Sequence, residues 1–317
     1  MILGIDPKID FAFKRLFGLP RNREMLIDVI NAVRRPASGH EVVEVTLLNP
    51  FNEKDFEDSK LSIVDIKATD QSGRQFNIEM EMAPDRYFGK RLLYYWAKRH
   101  ADQLHEGESY EDMKKTVIIA FVNASIFRAT PEYRHAFAIH NVGNTLTFTD
   151  DFEAHILEIE KFNKEADDRA DPLDAWLFFL KHAEGLDSAA LPSLLQTAAI
   201  QRAVKELIML TKEERERYEA RLRAHRDEVS RIRSAKLDGL EEGRVEGRVE
   251  GRVEGRVEGL CEAIVSLSQS LGRPVRKEDL TKLSSQELDA LHERLLTDVA
   301  AAISRGAKNG KNGKNGA

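Results

Sequence analysis

Three carboxylates, Asp65, Glu79 and Glu81, stand in one short stretch, Ser62-Ile-Val-Asp-Ile-Lys-Ala-Thr-Asp-Gln-Ser-Gly-Arg-Gln-Phe-Asn-Ile-Glu-Met-Glu-Met82. Two β patterns flank a turn at Gln71-Ser72-Gly73-Arg74. The second pattern sets Phe76, Ile78, Met80 and Met82 on one face and Asn77, Glu79 and Glu81 on the other. A hairpin with this alternation brings Asp65 near Glu79. Carboxylates converging on one polar face repel unless a cation lies between them, and a set of oxygen donors suits Mg²⁺ or Mn²⁺ better than zinc. Such a site does the chemistry of a metal-dependent phosphodiesterase, in which the cation lowers the pKa of a bound water and neutralises charge on phosphate. The same alternation is also that of an amphipathic hairpin with a solvated acidic face.

In the metal reading, Asp65 and Glu79 are ligands, and the main-chain carbonyl of Met80 is a third donor. Lys60 and Lys67 are the nearest lysines that could balance a phosphate. Lys67 is two residues from Asp65 and shares its face in a regular strand. Arg86, Lys90 and Arg91, at the start of the next predicted helix, could contact DNA phosphates, or be ordinary solvated charges.

The elements that must hold these residues are legible from periodicity. Residues 6–35 read as two helical pieces, the first capped by Asp6-Pro7. Residues 41–48 are β-rich, the hairpin follows at roughly 61–82, and 86–106 reads as a long helix. Lys115-Thr-Val-Ile-Ile-Ala-Phe-Val122 is apolar enough for a central strand buried on both faces. Strand-like runs follow at 136–142 and 154–159. The order predicts an α/β (α+β) domain with a mixed sheet.

The chain divides into 1–165, the α/β domain; 166–240, a helical extension ending in a long charged helix; 241–259, a linker; 260–304, a helical C-terminal segment; and 305–317, a disordered low-complexity tail. The linker contains four copies of Gly-Arg-Val-Glu. Within the repeat no Glu–Arg pair falls at i, i+3 or i, i+4, and each glycine costs about 1 kcal/mol relative to alanine in a helix. A flexible linker is therefore expected there, although a partner helix could order it.

Composition narrows the function classes. The 317 residues are 42% hydrophobic, enough for a sizeable core, and the formal net charge of −6 requires any DNA contact to come from a local basic patch. One cysteine, Cys261, excludes an intrachain disulfide and reads as a small packing residue. There is no zinc-type Cys/His cluster and no P-loop. No apolar run approaches the length of a membrane span and no signal peptide is evident, so a soluble, cytoplasmic protein is expected.

Several runs, in order, resemble one family. They begin with Asp6-Pro-Lys-Ile-Asp-Phe-Ala-Phe-Lys-Arg-Leu-Phe-Gly18 and Leu26-Ile-Asp-Val-Ile-Asn-Ala32. They continue through Lys60-Leu-Ser-Ile-Val-Asp-Ile-Lys67, Phe76-Asn-Ile-Glu-Met-Glu-Met82, Lys90-Arg-Leu-Leu-Tyr-Tyr95, Gln103-Leu-His-Glu-Gly-Glu-Ser-Tyr110 and Leu157-Glu-Ile-Glu-Lys-Phe162. Over roughly residues 5–240 the chain resembles the Rpn family of recombination-promoting nucleases, also labelled transposases, of the PD-(D/E)XK nuclease superfamily. The resemblance implies a restriction-endonuclease-like αβββαβ core, with Asp65 and Glu79 as ligands of Mg²⁺ or Mn²⁺. It maps the third catalytic position, usually Lys and in this family often Gln, onto Glu81. It makes Asp10, in the opening helix, an accessory acidic residue. It further implies double-stranded DNA as substrate, a link to recombination or mobile elements, and a homodimer. The alternatives are a nuclease fold that has lost catalysis and serves as a DNA-binding or interaction module, and a scaffold whose charged helix self-associates.

Overall fold

The computed structural model describes residues 1–49, 64–165 and 171–309; for Val64, Asp65 and 305–309 it describes the backbone alone. Two compact units, Met1–Val229 and Ser230–Ala317, are each described by themselves.

The first unit is built on a six-stranded mixed sheet. Its strands are β1 (Val45–Leu47), β2 (Val64–Asp70), β3 (Gln75–Glu81), β4 (Thr116–Val122), β5 (Arg134–His140) and β6 (Thr147–Glu158). The spatial order is β1-β2-β3-β4-β6-β5. β3, β4 and β6 run parallel, and the remaining neighbours are antiparallel. Every residue of β4 is buried, as its unbroken apolar run requires of a strand covered on both faces.

Helices α1 (Asp10–Phe17), α2 (Arg23–Arg34), α4 (Pro172–His182) and α5 (Ala198–Ile208) pack with one face. Phe13, Phe17, Leu26, Ile30 and Trp176 meet Ile66, Phe76, Ile78, Met80 and Phe121 in the main core. The other face is covered by α3 (Phe88–Ala101), where Phe88 and Leu92 join Ile118, Ala120, Val122 and Ile156. The mixed sheet between helices matches the predicted α/β class.

The opening helix begins at Asp10 rather than at Asp6-Pro7. Asp6 instead accepts a bond from the Lys8 amide (2.9 Å), a local turn that competes with helix. β6 starts at Thr147, seven residues before the predicted 154–159 run. Its exposed first half pairs with β5 and lacks the buried pattern that marks the second half.

The β2–β3 turn fixes the hairpin register. The buried Asp70 carboxylate accepts bonds from the amides of Ser72 (2.9 Å) and Arg74 (3.0 Å), the Ser72 hydroxyl (2.7 Å) and Arg74 Nε (2.5 Å). Gly73 has φ +83°, a conformation that L side chains rarely adopt, so the turn needs glycine there.

α6 (Lys212–Ser270) opens with a reciprocal cap. The Thr211 hydroxyl accepts from the Glu214 amide (3.2 Å), and the Glu214 carboxylate accepts from the Thr211 amide (2.7 Å). The helix runs through the Gly-Arg-Val-Glu repeat, so residues 241–259 are helical and the expected linker is corrected. Helix formation is cooperative: nucleation is costly and propagation is cheap, so well-formed flanks carry weak residues between them. An Arg244–Glu241 pair at i, i+3 uses a glutamate that precedes the repeat.

In the second unit, Cys261 and Ile264 pack with Leu280 of α7 (Lys277–Leu280) and Leu288 of α8 (Ser285–Asn309). Cys261 is buried, in keeping with a packing role. α8 extends over 305–309, the start of the expected disordered tail; 310–317 lie outside the described residues. Among the described residues no helix is long and apolar enough to cross a membrane.

Asp70→Ala is expected to strand the turn amides and cost about 1–3 kcal/mol. Urea denaturation followed by circular dichroism measures it; unchanged stability would show that the turn does not depend on this carboxylate.

Candidate active site

β2 and β3 pair with Asp65 opposite Glu79 and Lys67 opposite Asn77. On β3 the alternation is as predicted: Ile78 and Met80 enter the main core, while Asn77, Glu79 and Glu81 take the α3 face. Ala120 of β4 is beside Glu79, and Val122 is beside Glu81. Glu79 is only 2% exposed, in contrast to a solvated acidic face. The Asn77 amide donates from Nδ2 to Glu79 Oε1 (2.7 Å), which fixes the carboxylate's orientation. Asn77 Oδ1 is itself buried and has no hydrogen-bond partner.

Glu81 is engaged at both oxygens. Oε1 accepts from the Ala83 amide (3.2 Å), and Oε2 forms an ion pair with Arg91 Nη2 from the first turn of α3. Arg91 also lies near Asp85 (3.5 Å) and the Phe88 ring (5.8 Å to its centroid). The Met80 side chain is buried in the opposite core, so any donor from this residue is its main-chain carbonyl.

A family profile described as PD-(D/E)XK nuclease family transposase matches residues 7–235, most of the chain. The protein belongs to the PD-(D/E)XK nuclease family transposases. No curated protein and no solved structure matched it.

Of the residues singled out in the sequence of this PD-(D/E)XK protein, the fold gathers Lys67, Glu79, Glu81 and Arg91 with strand position 65. The side chain of Asp65 and the whole of Lys60 lie outside the described residues. Asp10 belongs to α1, which packs on the opposite face of the sheet. Its carboxylate accepts from the Phe11 amide (2.7 Å) and lies 3.9 Å from Arg221 of α6. Burial raises the Asp10 pKa above its ordinary value despite Arg221.

Asn77 was missed as a site residue. Its signal was an asparagine inside a strand pattern, where that residue is depleted, alternating with two glutamates. Also missed was Glu158, at the end of β6, which is separated from Glu81 by Val122 in the strand register. Glu158 is fully buried and accepts from the amides of Ile126 and Phe127, from Lys161 and from His135. Burial alone would raise its pKa; these donors outweigh burial and hold it below the usual carboxylate range. On the opposite face, His155 and Arg34 likewise outweigh burial at Glu153 and hold it low.

Among the described side chains, no three His, Cys, Asp or Glu residues gather as a metal cluster. The donors present nevertheless fit a hard cation. Glu79 is a buried carboxylate, and the orphaned Asn77 oxygen beside it is a neutral oxygen donor of the type Mg²⁺ and Mn²⁺ accept.

The two depressed carboxylates set an acid limit. A carboxylate with a lowered folded pKa contributes stability that is full above its unfolded value, near 4.5, and is lost as pH falls through the folded value. Glu158→Gln is expected to be much less stable than wild type at pH 7 and closer to it at pH 3. Urea titrations at both pH values test this; a gap that widens in acid would reverse the sign.

Proposed function

We propose that this protein is a metal-dependent DNA endonuclease that hydrolyses phosphodiester bonds, with a role in DNA recombination or mobile elements. The observation that carries the reading is the hairpin register, which sets Asp65 opposite the buried Glu79 in a chain of the nuclease family. Asp65, Glu79 and the Met80 carbonyl would hold Mg²⁺ or Mn²⁺. When bound, the cation lowers the pKa of a bound water and neutralises charge on the phosphate.

The protein's own groups do the rest. Asn77 holds Glu79 in one orientation through Nδ2. Lys67, on the same face as Asn77, adds positive charge where a phosphate must approach. Arg91 offsets the negative charge of Glu81 at the end of the strand. The apolar α3 contacts beyond β3 limit water on the far side of the carboxylates, which strengthens the electrostatics of the site. Duplex cleavage fits a homodimer that presents one site to each strand.

Nicking of supercoiled plasmid with Mg²⁺, Mn²⁺, Ca²⁺ or EDTA tests this reading. Cleavage is expected with Mg²⁺ or Mn²⁺ and should fall to background in Asp65→Ala and Glu79→Ala. Asn77→Ala should lose about 10–100-fold, the usual effect of removing a group that orients a metal ligand. Cleavage that survives both carboxylate substitutions would refute the site. A folded protein that binds DNA without cutting it would favour the degenerate module.

A further inference from the structure

We propose that Arg91 is a second phosphate-binding cation of this site, beside Lys67, and that Glu81 is the positioning residue that presents it. The proposal rests on the nuclease reading of the β2–β3 face, but its first measurement does not require cleavage.

The argument starts from a charge problem. Glu81 is two residues beyond Glu79 on the same face of β3, about 6–7 Å away along the strand. An unpaired carboxylate at that distance would repel an approaching phosphate. Glu81 is not unpaired: one oxygen takes the Ala83 amide and the other takes Arg91. This arrangement brings a fixed cation to the carboxylate edge from the covering helix.

Arg91 is suited to more than holding Glu81. Its side chain is 28% exposed, whereas Glu79 is almost wholly buried, so the guanidinium reaches solvent at the rim of a closed site. A guanidinium has five N–H donors, more than contacts with Glu81 and Asp85 consume, and its planar fork matches phosphate oxygens. The Phe88 ring beneath it restricts its motion and presents an electron-rich face to the charge. A guanidinium in this position clamps phosphate and stabilises developing negative charge.

A purely structural ion pair would leave DNA untouched, and counterion release separates the two roles. Binding of the full-length protein to a linear DNA duplex is measured in Ca²⁺ across a salt series. Nicking in Mg²⁺ is measured in parallel, for wild type, Arg91→Ala, Arg91→Lys, Arg91→Gln and Asp65→Ala. Loss of one phosphate contact in Arg91→Ala should reduce the slope of log affinity against log salt by about 1. Nicking should fall about 100-fold. Arg91→Lys should recover the slope but only part of the rate, because it lacks the planar fork. Arg91→Gln retains a hydrogen-bond donor for Glu81 without the charge, and gives the same test if Arg91→Ala does not fold.

A wild-type salt slope in Arg91→Ala or Arg91→Gln would overturn the proposal. If Asp65→Ala abolishes nicking while that slope is unchanged, the nuclease reading stands and the Arg91 proposal falls. If wild type never nicks but the slope still drops by about 1, the nuclease reading falls and Arg91 remains a phosphate contact.

Discussion

The register of the β2–β3 hairpin is the constraint on which the rest of the site depends. A strand has a side-chain period of two, so a slip of one residue would exchange its faces. Glu79 would then enter the apolar core in place of Ile78, and Met80 would take the place of Glu79 beneath α3. Such a slip is costly on both faces. Asp70 and Gly73 prevent it locally, through the bonds of the turn and its positive φ. The Phe76, Ile78 and Met80 contacts prevent it from the core side.

That register leaves several acidic groups in a partly dry setting, and the protein treats them differently. Glu79 receives the Asn77 amide, Glu81 receives a guanidinium, and Glu158 receives two backbone amides, an ammonium and an imidazole. Burial of a carboxylate without partners would drive it to the neutral form. The heavily bonded Glu158 is pushed the other way, which marks it as a structural anchor between β6 and the 126–127 segment. Glu79 is held by the Asn77 Nδ2 bond, beside the buried Asn77 oxygen.

The departure at the third position of the candidate site is local to β3. Where the resemblance leads one to expect Lys or Gln, this chain has Glu81, yet the covering helix returns a positive charge through Arg91. Charge at an active site is a property of the neighbourhood, so a carboxylate on one element and a guanidinium on another can together occupy the electrostatic role of a single polar residue.

Much of the architecture was legible in the sequence because it follows from local periodicity. The alternation of 76–82 announced a half-buried strand, the apolar run ending at Val122 announced a central one, and the turn residues placed the hairpin. The Gly-Arg-Val-Glu repeat was misread because propensity is local, whereas its helix is carried by cooperative flanks. Asp10 reads as an accessory acidic residue in the chain; the fold places it on α1, on the other face of the sheet, with its carboxylate 3.9 Å from Arg221. The sequence by itself determined which residue types alternate along β3 and that positions 65 and 79 would lie opposite each other across the hairpin. Only the tertiary structure decided that Glu79 is buried with Asn77, that Glu81 is neutralised by Arg91, and that α3 closes this face. Those outcomes depend on contacts between elements distant in sequence, and periodicity along one strand carries no information about which helix covers it.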